Sequence, residues 1–274
     1  MDIPTLALAA EVLLTGAGAV LLWRLALSPG ARSARTPAAL APWNASPSDF
    51  LAFLLCIVCG AILFQVAGLR LLARAPLTAD ERLILAAACF QIGMLAGISG
   101  YQLAATRGSA APGGGWRRDL ATGAATFAAT LPILWLVTMG WQGLMSLLGL
   151  PADRQDIVDL FATTSSPVLR AVVILFAVVV APVTEELVFR RGLFRYLRGR
   201  VPRWLAYTAP TLLFGALHVD WGTLHGLAAL APLIALGIVF SIAYERTGRI
   251  GTTIVAHALF NLNTVLLILA GVDF

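Results

Sequence analysis

The chain has 274 residues, of which 59% are hydrophobic and 12% are charged, and its mean hydropathy is +0.86. Soluble globular proteins carry about 25% charged residues, so this composition excludes an ordinary cytosolic enzyme, a secreted disulfide scaffold and a disordered chain. The formal charge of +5 comes from 19 arginines without any lysine. They lie mostly between apolar runs rather than along one polar face, which indicates a membrane-topology signal and no nucleic-acid partner.

Apolar runs divided by Pro-, Gly- and Ser-rich joints dominate the chain. A helix needs about 20 apolar residues to cross the hydrocarbon core of a bilayer, and several runs reach or approach that length. The sequence therefore predicts an all-α fold, a polytopic membrane protein with about eight transmembrane helices. In chain order the predicted spans are residues 5–27, 50–72, 83–105, 120–148, 167–189, 205–219, 224–244 and 251–270.

The arginines also predict how the helices are oriented. If the N-terminus lies outside, most arginines fall in loops that face the cytoplasm, including the six in the stretch 190–203. This positive-inside bias predicts that both termini lie outside. The stretch 190–203 is predicted to rest, as a basic and partly amphipathic segment, on anionic headgroups. The basic loops and the lysine-free composition favour a bacterial inner membrane.

Ionisable residues within the spans carry the most information about function. A charge at the bilayer centre costs at least about 2.5–3.5 kcal/mol, so such residues usually pair or perform chemistry. Glu11 stands alone in the first span, and Arg24 and Arg170 lie close enough to span ends to snorkel. We expect structural roles for these three residues.

Two adjacent carboxylates end the apolar fifth span. Glu186 and Arg190 are four residues apart and so share a helical face, where an ion pair lowers the cost of burial. Glu185 points about 100° away from Glu186 on a regular helix and is free to face a separate cavity. Two nearby carboxylates in a low dielectric tend to differ in their affinity for a proton, which suits one of them to general-base catalysis. The alternative interpretation is that the segment marks only the cytoplasmic interface.

The later helices contain two of the three histidines in the chain. His218 follows Phe214 by one helical turn, so the phenyl ring can pack against the imidazole. His257 and Asn261 are also four residues apart, which places an imidazole and a carboxamide on one face of the last helix. A single histidine in a span is more often an interhelical hydrogen-bonding residue than a catalyst. His225 falls in a predicted external loop and is assigned no role.

Three short motifs thus occur in order on successive C-terminal helices: Glu185-Glu186-x-x-x-Arg190, then Phe214-x-x-x-His218, then His257-x-x-x-Asn261. Together they resemble the CPBP family, which comprises CAAX-processing endopeptidases and bacteriocin-processing (Abi) intramembrane proteases. Each motif is weak alone, but all three in order within one polytopic chain are a specific signal. On this basis residues 1–149 are N-terminal transmembrane helices without a recognised motif, and residues 150–274 are a CPBP/CAAX-protease-like catalytic core.

The resemblance implies hydrolysis of a peptide bond, within or at the edge of the bilayer, in a membrane-embedded or membrane-anchored protein or peptide. Carried onto this chain, it implies Glu185 as the base that activates water, with His218 holding and polarising that water. His257 and Asn261 would then donate hydrogen bonds to the oxyanion of the tetrahedral intermediate. Family relatives act on prenylated C-termini or in peptide maturation and bacteriocin immunity, and the sequence leaves the substrate class open.

Glu186 and Arg190 would support this site as a pair. If the fifth span ended at residue 189, Glu185 and His218 would lie near opposite surfaces of the membrane. We therefore predict that Arg190 is buried with Glu186 and belongs to the site. The fifth helix should then continue towards Tyr196, and the sixth should begin nearer Thr208.

The sequence leaves open whether the protein uses a divalent metal as a cofactor. The resembled family is also described as a metalloprotease family, in which case Glu185, His218 and His257 would hold zinc. Two imidazoles, a carboxylate and water form an acceptable catalytic zinc shell, but the chain has no H-E-x-x-H motif. We slightly favour a glutamate–histidine mechanism that requires no metal over the zinc-dependent one.

Two interpretations from other functional classes compete with a protease. A transporter could use the same polar residues as an ion relay, although secondary transporters usually contain internal repeats, which this sequence lacks. A non-catalytic membrane scaffold descended from proteases is the third interpretation. The intact set of motifs argues against it.

Overall fold

The computed structural model describes residues 2–34, 38–105, 115–150, 166–219, 221–222 and 225–272, and the described segments contain helices without any strand. We number eight main helices in chain order: α1 (Ile3–Leu22), α2 (Pro47–Leu72), α3 (Ala79–Ala105), α4 (Trp116–Leu147), α5 (Pro167–Arg198), α6 (Arg203–His218), α7 (Leu230–Thr247) and α8 (Ile250–Leu269). A π-helical turn, Trp23–Leu27, and a short helix, Pro29–Ser33, extend α1. The predicted all-α polytopic fold is confirmed.

Helix ends follow local sequence signals. Ser46 caps α2 by accepting a hydrogen bond from the Asp49 amide, while the Asp49 carboxylate accepts one from the Ser46 amide. Pro47 occupies the first helical position, where a missing N–H costs nothing. At its C-terminal end, α7 stops at Gly248, whose φ of 66° is a left-handed conformation that glycine adopts without strain.

Seven helical stretches among the described residues are long and apolar enough to cross a membrane. The exception is α6, which has 16 residues and therefore spans about 24 Å, less than the roughly 30 Å of a hydrocarbon core. It corresponds to the predicted span 205–219, which exists as a helix but is short for a full crossing. His218 is its last residue, so it lies at a helix end rather than in mid-helix, and its side chain is partly exposed.

The fifth helix extends to Arg198, nine residues beyond the predicted span end at 189. The predicted continuation towards Tyr196 agrees with this, whereas the predicted start of the sixth helix near Thr208 is wrong, because α6 begins at Arg203. Two π-helical segments, Phe176–Val180 and Glu186–Phe194, interrupt α5. Pro182 accounts for the first, since proline lacks an N–H and its ring crowds the preceding turn.

Two sets of contacts pack the helices of the bundle together. A buried cluster joins α4, α7 and α8 through Phe127, Leu131, Leu134, Leu236, Phe240 and Ala256. On the other side, Phe50 of α2 stacks on Tyr196 of α5 with ring centroids 3.9 Å apart. The helix α5 also contacts α6 and α8, which carry the other polar residues of the predicted site.

Candidate active site

The polar residues singled out on α5, α6 and α8 meet near the middle of the C-terminal bundle. Glu185 lies at the junction between a regular turn, Ala181–Glu185, and the π-helical segment Glu186–Phe194. A π-helical turn adds a residue to the helical repeat and changes the direction of the side chains that follow, and such turns are frequent at functional sites. This local distortion sets how Glu186 and Arg190 are directed relative to Glu185.

Each carboxylate oxygen of Glu185 faces one imidazole. Its Oε1 lies 3.6 Å from Nε2 of His218, and its Oε2 lies 3.7 Å from Nε2 of His257. These distances are too long for direct hydrogen bonds but suit groups that share a water molecule. Glu185 and His257 are largely buried, whereas the His218 side chain is 36% exposed and forms the open side of the site.

The second nitrogen of each imidazole is already engaged. Nδ1 of His218 lies 2.7 Å from the carbonyl oxygen of Phe214, and Nδ1 of His257 lies 3.0 Å from Oε1 of Glu186. Both partners are acceptors, so we assign the Nδ1 proton to each ring. In the neutral tautomer, Nε2 of His218 therefore presents a lone pair towards Glu185, which is the orientation that water activation requires.

Glu186 and Arg190 form a buried pair behind this site. Glu186 is 0% and Arg190 2% exposed, and Nη1 of Arg190 lies 3.0 Å from Oε1 of Glu186. The contact is an ion pair without good hydrogen-bond geometry, and Oε2 of Glu186 has no hydrogen-bond partner among the described residues. Arg190 is thus enclosed by the bundle rather than exposed at a membrane boundary, although arginine in a span is expensive to bury.

Aromatic rings enclose the Arg190 guanidinium. Its Cζ lies 4.9 Å from the ring centroid of Phe214 and 5.6 Å from that of Phe240. Gly237 leaves the necessary room, because a Cβ there would lie 3.2 Å from Nη2 of Arg190. Sequence reasoning missed Phe240 and Gly237. Their only signal was a glycine three residues before an aromatic residue within an apolar run.

Asn261 stands apart from these contacts. Its amide nitrogen donates a 2.7 Å hydrogen bond to the carbonyl oxygen of Ala177, within the first π-helical segment of α5. The bond ties α8 to α5 one helical turn from His257. A carboxamide has two N–H donors, so one remains for a ligand. The role of Asn261 as an oxyanion donor stays a prediction.

Glu11, one of the three ionisable residues expected to have structural roles, has a partner within the bundle. Glu11 of α1 accepts a 3.0 Å hydrogen bond from Nδ2 of Asn263 on α8. Such a bond satisfies the carboxyl group within the bundle and joins the first helix to the last. The side chain of His225 lies outside the described residues.

The candidate zinc ligands have suitable donor atoms but not the spacing of a metal site. Glu185, His218 and His257 are suitable donor types, but a tetrahedral zinc ion keeps its ligand atoms about 3.3 Å apart. The carboxylate-to-imidazole distances of 3.6 and 3.7 Å are longer. Within the part of the chain that the structure describes, no group of three His, Cys, Asp or Glu side chains is arranged to hold a metal ion. In this arrangement the three side chains do not fit a bound zinc ion.

Comparison with known proteins bears on the same helices. Residues 167–263 match the family described as type II CAAX prenyl endopeptidase Rce1-like. The matched region starts at the first residue of α5 and ends within α8, so it contains every residue of the predicted site. The family resemblance predicted from the sequence is confirmed for this region. We refer to it below as the CAAX-protease-like region.

Individual relatives match a similar length of chain. YdiL of Bacillus subtilis, whose name describes a candidate membrane peptidase, is 32% identical over 102 residues, covering 36% of this chain and 39% of YdiL. An uncharacterised protein of Mycoplasma capricolum is 32% identical over 98 residues, 35% of this chain and 27% of that protein. The UPF0177 protein YbdI of Lactococcus lactis is 28% identical over 92 residues, 33% of this chain and 45% of its own length.

These alignments span less than half of each relative, so the likeness concerns the CAAX-protease-like region rather than whole proteins. No solved structure matches the chain.

Proposed function

We propose that this protein is an intramembrane endopeptidase that hydrolyses a peptide bond in a membrane-associated protein or peptide. The observation that carries the proposal is the position of Glu185 between two imidazole Nε2 atoms, at 3.6 and 3.7 Å, within the CAAX-protease-like region. A carboxylate flanked by two oriented imidazoles can hold a water molecule and remove its proton. That combination is the minimum needed for hydrolysis without a covalent intermediate.

In the first step, a water molecule donates one hydrogen bond to Glu185 and the other to Nε2 of His218. Glu185 accepts a proton as the water oxygen attacks the carbonyl carbon of the scissile bond. The Phe214 carbonyl keeps the proton of His218 on Nδ1, so that Nε2 remains an acceptor throughout this step. The carbonyl oxygen then becomes the oxyanion of a tetrahedral intermediate.

His257 is the residue best suited to stabilise that oxyanion. It lies between two carboxylates, with Oε1 of Glu186 3.0 Å from its Nδ1 and Oε2 of Glu185 3.7 Å from its Nε2. In the charged form, Nε2 carries a proton and becomes a donor. A single oxyanion donor contributes about 2.7–4 kcal/mol, or 10²–10³ in kcat. The free N–H of Asn261 is the second candidate donor.

Collapse of the intermediate needs a proton for the leaving amine. Glu185 carries the proton that it took from water and can transfer it to the nitrogen as the C–N bond breaks. The carboxylate is then regenerated and the hydrolysis is balanced. Glu186 and Arg190 take no part in proton transfer in this scheme, because they orient His257 from behind.

Peptide profiling of cell membranes tests the proposal and identifies the substrate that the protein cleaves, its client. Membranes containing the wild type, Glu185→Gln or Glu11→Gln are compared for new N- and C-termini, each with and without a chelator. Glu11→Gln is a matched control, since it alters another carboxyl group of the bundle that contacts Asn263 instead of the site. We expect termini that are present in the wild type and in Glu11→Gln and absent in Glu185→Gln. Loss of cleavage on chelation, with recovery on adding zinc, would replace this scheme with the zinc-dependent one.

We further propose that the protein lies in a bacterial cell membrane with both termini outside, as its arginine distribution indicates. A single cysteine introduced at Asp2, in a background without the native cysteines, tests the orientation. It should react with a membrane-impermeant maleimide in intact cells. Protection until the cells are lysed would reverse the proposed topology.

A further inference from the structure

A second polar site lies at the opposite end of α6 from His218. A cavity of about 300 Å³ opens between α6 and α7, and it is lined by Arg203, Tyr207, Ile238, Ile242, Glu245 and Arg246. Arg203 precedes His218 by fifteen residues on one helix, which corresponds to about 22 Å along its axis. The cavity is therefore too distant to hold the peptide bond that Glu185 would attack.

The floor of this cavity is a buried carboxylate whose charge is already neutralised. Glu245 is 2% exposed, and its two oxygens lie 2.6 Å from Nε of Arg198 and 2.9 Å from Nη2 of Arg203. The Tyr207 hydroxyl also donates to Glu245. Two arginines thus pair with Glu245 and a third, Arg246, lines the same cavity, so the group carries a net positive charge.

Arg246 supplies that excess charge at the rim. It is exposed, and no acidic side chain pairs with it among the residues that the structure describes. The side chain of Arg203 is 65% exposed although one of its nitrogens binds Glu245. Two guanidinium groups therefore line the same opening, where their charges can attract an anion with several oxygen atoms.

The polarity of the walls changes along the helices. On α7, Arg246, Ile242 and Ile238 follow one another at four-residue spacing and form a single stripe from charged to aliphatic. On α6, Arg203 is followed by Tyr207 at the same spacing. The exposed Trp204 beside Arg203 is typical of a residue at the membrane–water interface. The cavity therefore offers positive charge at the interface and apolar surface deeper in the bundle.

We propose that this cavity binds an anionic phospholipid, with its phosphate against Arg203 and Arg246 and an acyl chain along Ile242 and Ile238. The graded polarity distinguishes a lipid from a soluble phosphate, which would gain nothing from the isoleucine stripe. Each arginine near an anionic headgroup contributes about 1 kcal/mol, which corresponds to about fivefold in affinity. The proposal does not depend on proteolysis and is tested without it.

Native mass spectrometry of the full chain in detergent measures this binding directly. The probes are dioctanoyl phosphatidylglycerol, dioctanoyl phosphatidylcholine and inorganic phosphate. The wild type should bind phosphatidylglycerol at least about fivefold more tightly than phosphatidylcholine, because only the former is a net anion. Arg246→Gln should lose that preference, and Arg246→Lys should keep most of it.

Arg74→Gln is the matched control, since Arg74 is exposed after the last turn of α2, away from the cavity. It removes the same charge and should leave lipid binding unchanged. Equal binding by the wild type and Arg246→Gln would overturn the proposal, as would equal affinity for the two lipids. Displacement of the lipid by inorganic phosphate at an equal concentration would also overturn it, by identifying a small-anion site.

Discussion

Nδ1 of His257 lies 3.0 Å from Oε1 of Glu186, and the same oxygen lies 3.0 Å from Nη1 of Arg190. One buried carboxylate oxygen therefore orients an imidazole of the candidate site and neutralises a buried guanidinium. This shared contact couples the geometry of the site to the stability of the bundle. It also explains why adjacent glutamates are useful here, since one faces the reactants and the other holds the residue that faces them.

The buried pair of Glu186 and Arg190 predicts that a single variant is less stable than the double variant. Glu186→Gln should lower the midpoint of thermal unfolding strongly, because removing one partner of a buried pair costs about 3–5 kcal/mol. The double variant Glu186→Gln/Arg190→Met should recover much of that loss, since a charge no longer remains unpaired. It should not recover proteolysis, because the carboxylate charge beside Nδ1 of His257 would still be missing. Unfolding in micelles followed by tryptophan fluorescence measures the first effect, and recovery of cleavage by the double variant would contradict the second.

Gly237 predicts a steric limit near Arg190. A Cβ at this position would lie 2.7 Å from Cγ2 of Thr211 and 3.2 Å from Nη2 of Arg190. Gly237→Ala should therefore lower stability by about 1–3 kcal/mol through overpacking, although alanine favours helix more than glycine does. Gly140→Ala in α4 is the control, because its Cβ would meet nothing within 4 Å. Equal unfolding midpoints for the two variants would show that α7 can move to accommodate the methyl group.

His218 is predicted to act through Nε2 and not through Nδ1. His218→Gln places a polar atom near the position of Nε2, whereas His218→Asn reaches only the position of Nδ1, beside the Phe214 carbonyl. Both variants should lose about 10²–10⁴ in kcat, the usual contribution of general acid–base groups, and the glutamine variant should retain more activity. Steady-state rates on a cleaved client peptide decide between them. The opposite ranking would indicate that the contact with the Phe214 carbonyl is the important one.

Asn261 allows its two possible roles to be separated. If its free N–H stabilises the oxyanion, Asn261→Ala should lower kcat by about 10²–10³ with little change in KM. If the side chain only ties α8 to the Ala177 carbonyl, the variant should lower the unfolding midpoint and leave kcat almost intact. We predict the first of these results, a fall in kcat of about 10²–10³. Measurement of both quantities on one preparation separates the two roles.

Much of the fold could be predicted because membrane-spanning helices have a distinctive apolar composition. The seven stretches long enough to cross a bilayer coincide with predicted spans, since a spanning helix must be apolar over its whole length. The end of α5 was harder to predict, because Arg190 and Arg191 look like a membrane boundary. Only the tertiary structure supplies the Glu186 carboxylate and the rings of Phe214 and Phe240 that make burial of Arg190 tolerable.

The residues of the candidate site could be singled out from the sequence, but the contacts between them could not. The four-residue spacings placed Glu186 with Arg190 and His257 with Asn261 on shared faces. Periodicity cannot reveal that Asn261 bonds to Ala177, because that carbonyl lies in a π-helical segment of another helix. The contact between Glu186 and His257 likewise joins α5 to α8 and has no local signature.

The most direct test of the central claim is the rate of peptide-bond cleavage by purified Glu185→Gln. The amide keeps the size of the carboxylate but cannot accept a proton from water at neutral pH. The controls are the wild type and Glu11→Gln, measured on the client peptide in the same micelles. We predict a loss of at least about 10²-fold in kcat for Glu185→Gln with a normal unfolding midpoint, and wild-type rates for Glu11→Gln. A correctly folded Glu185→Gln protein that cleaves the client at the wild-type rate would contradict the assignment of Glu185 as the base.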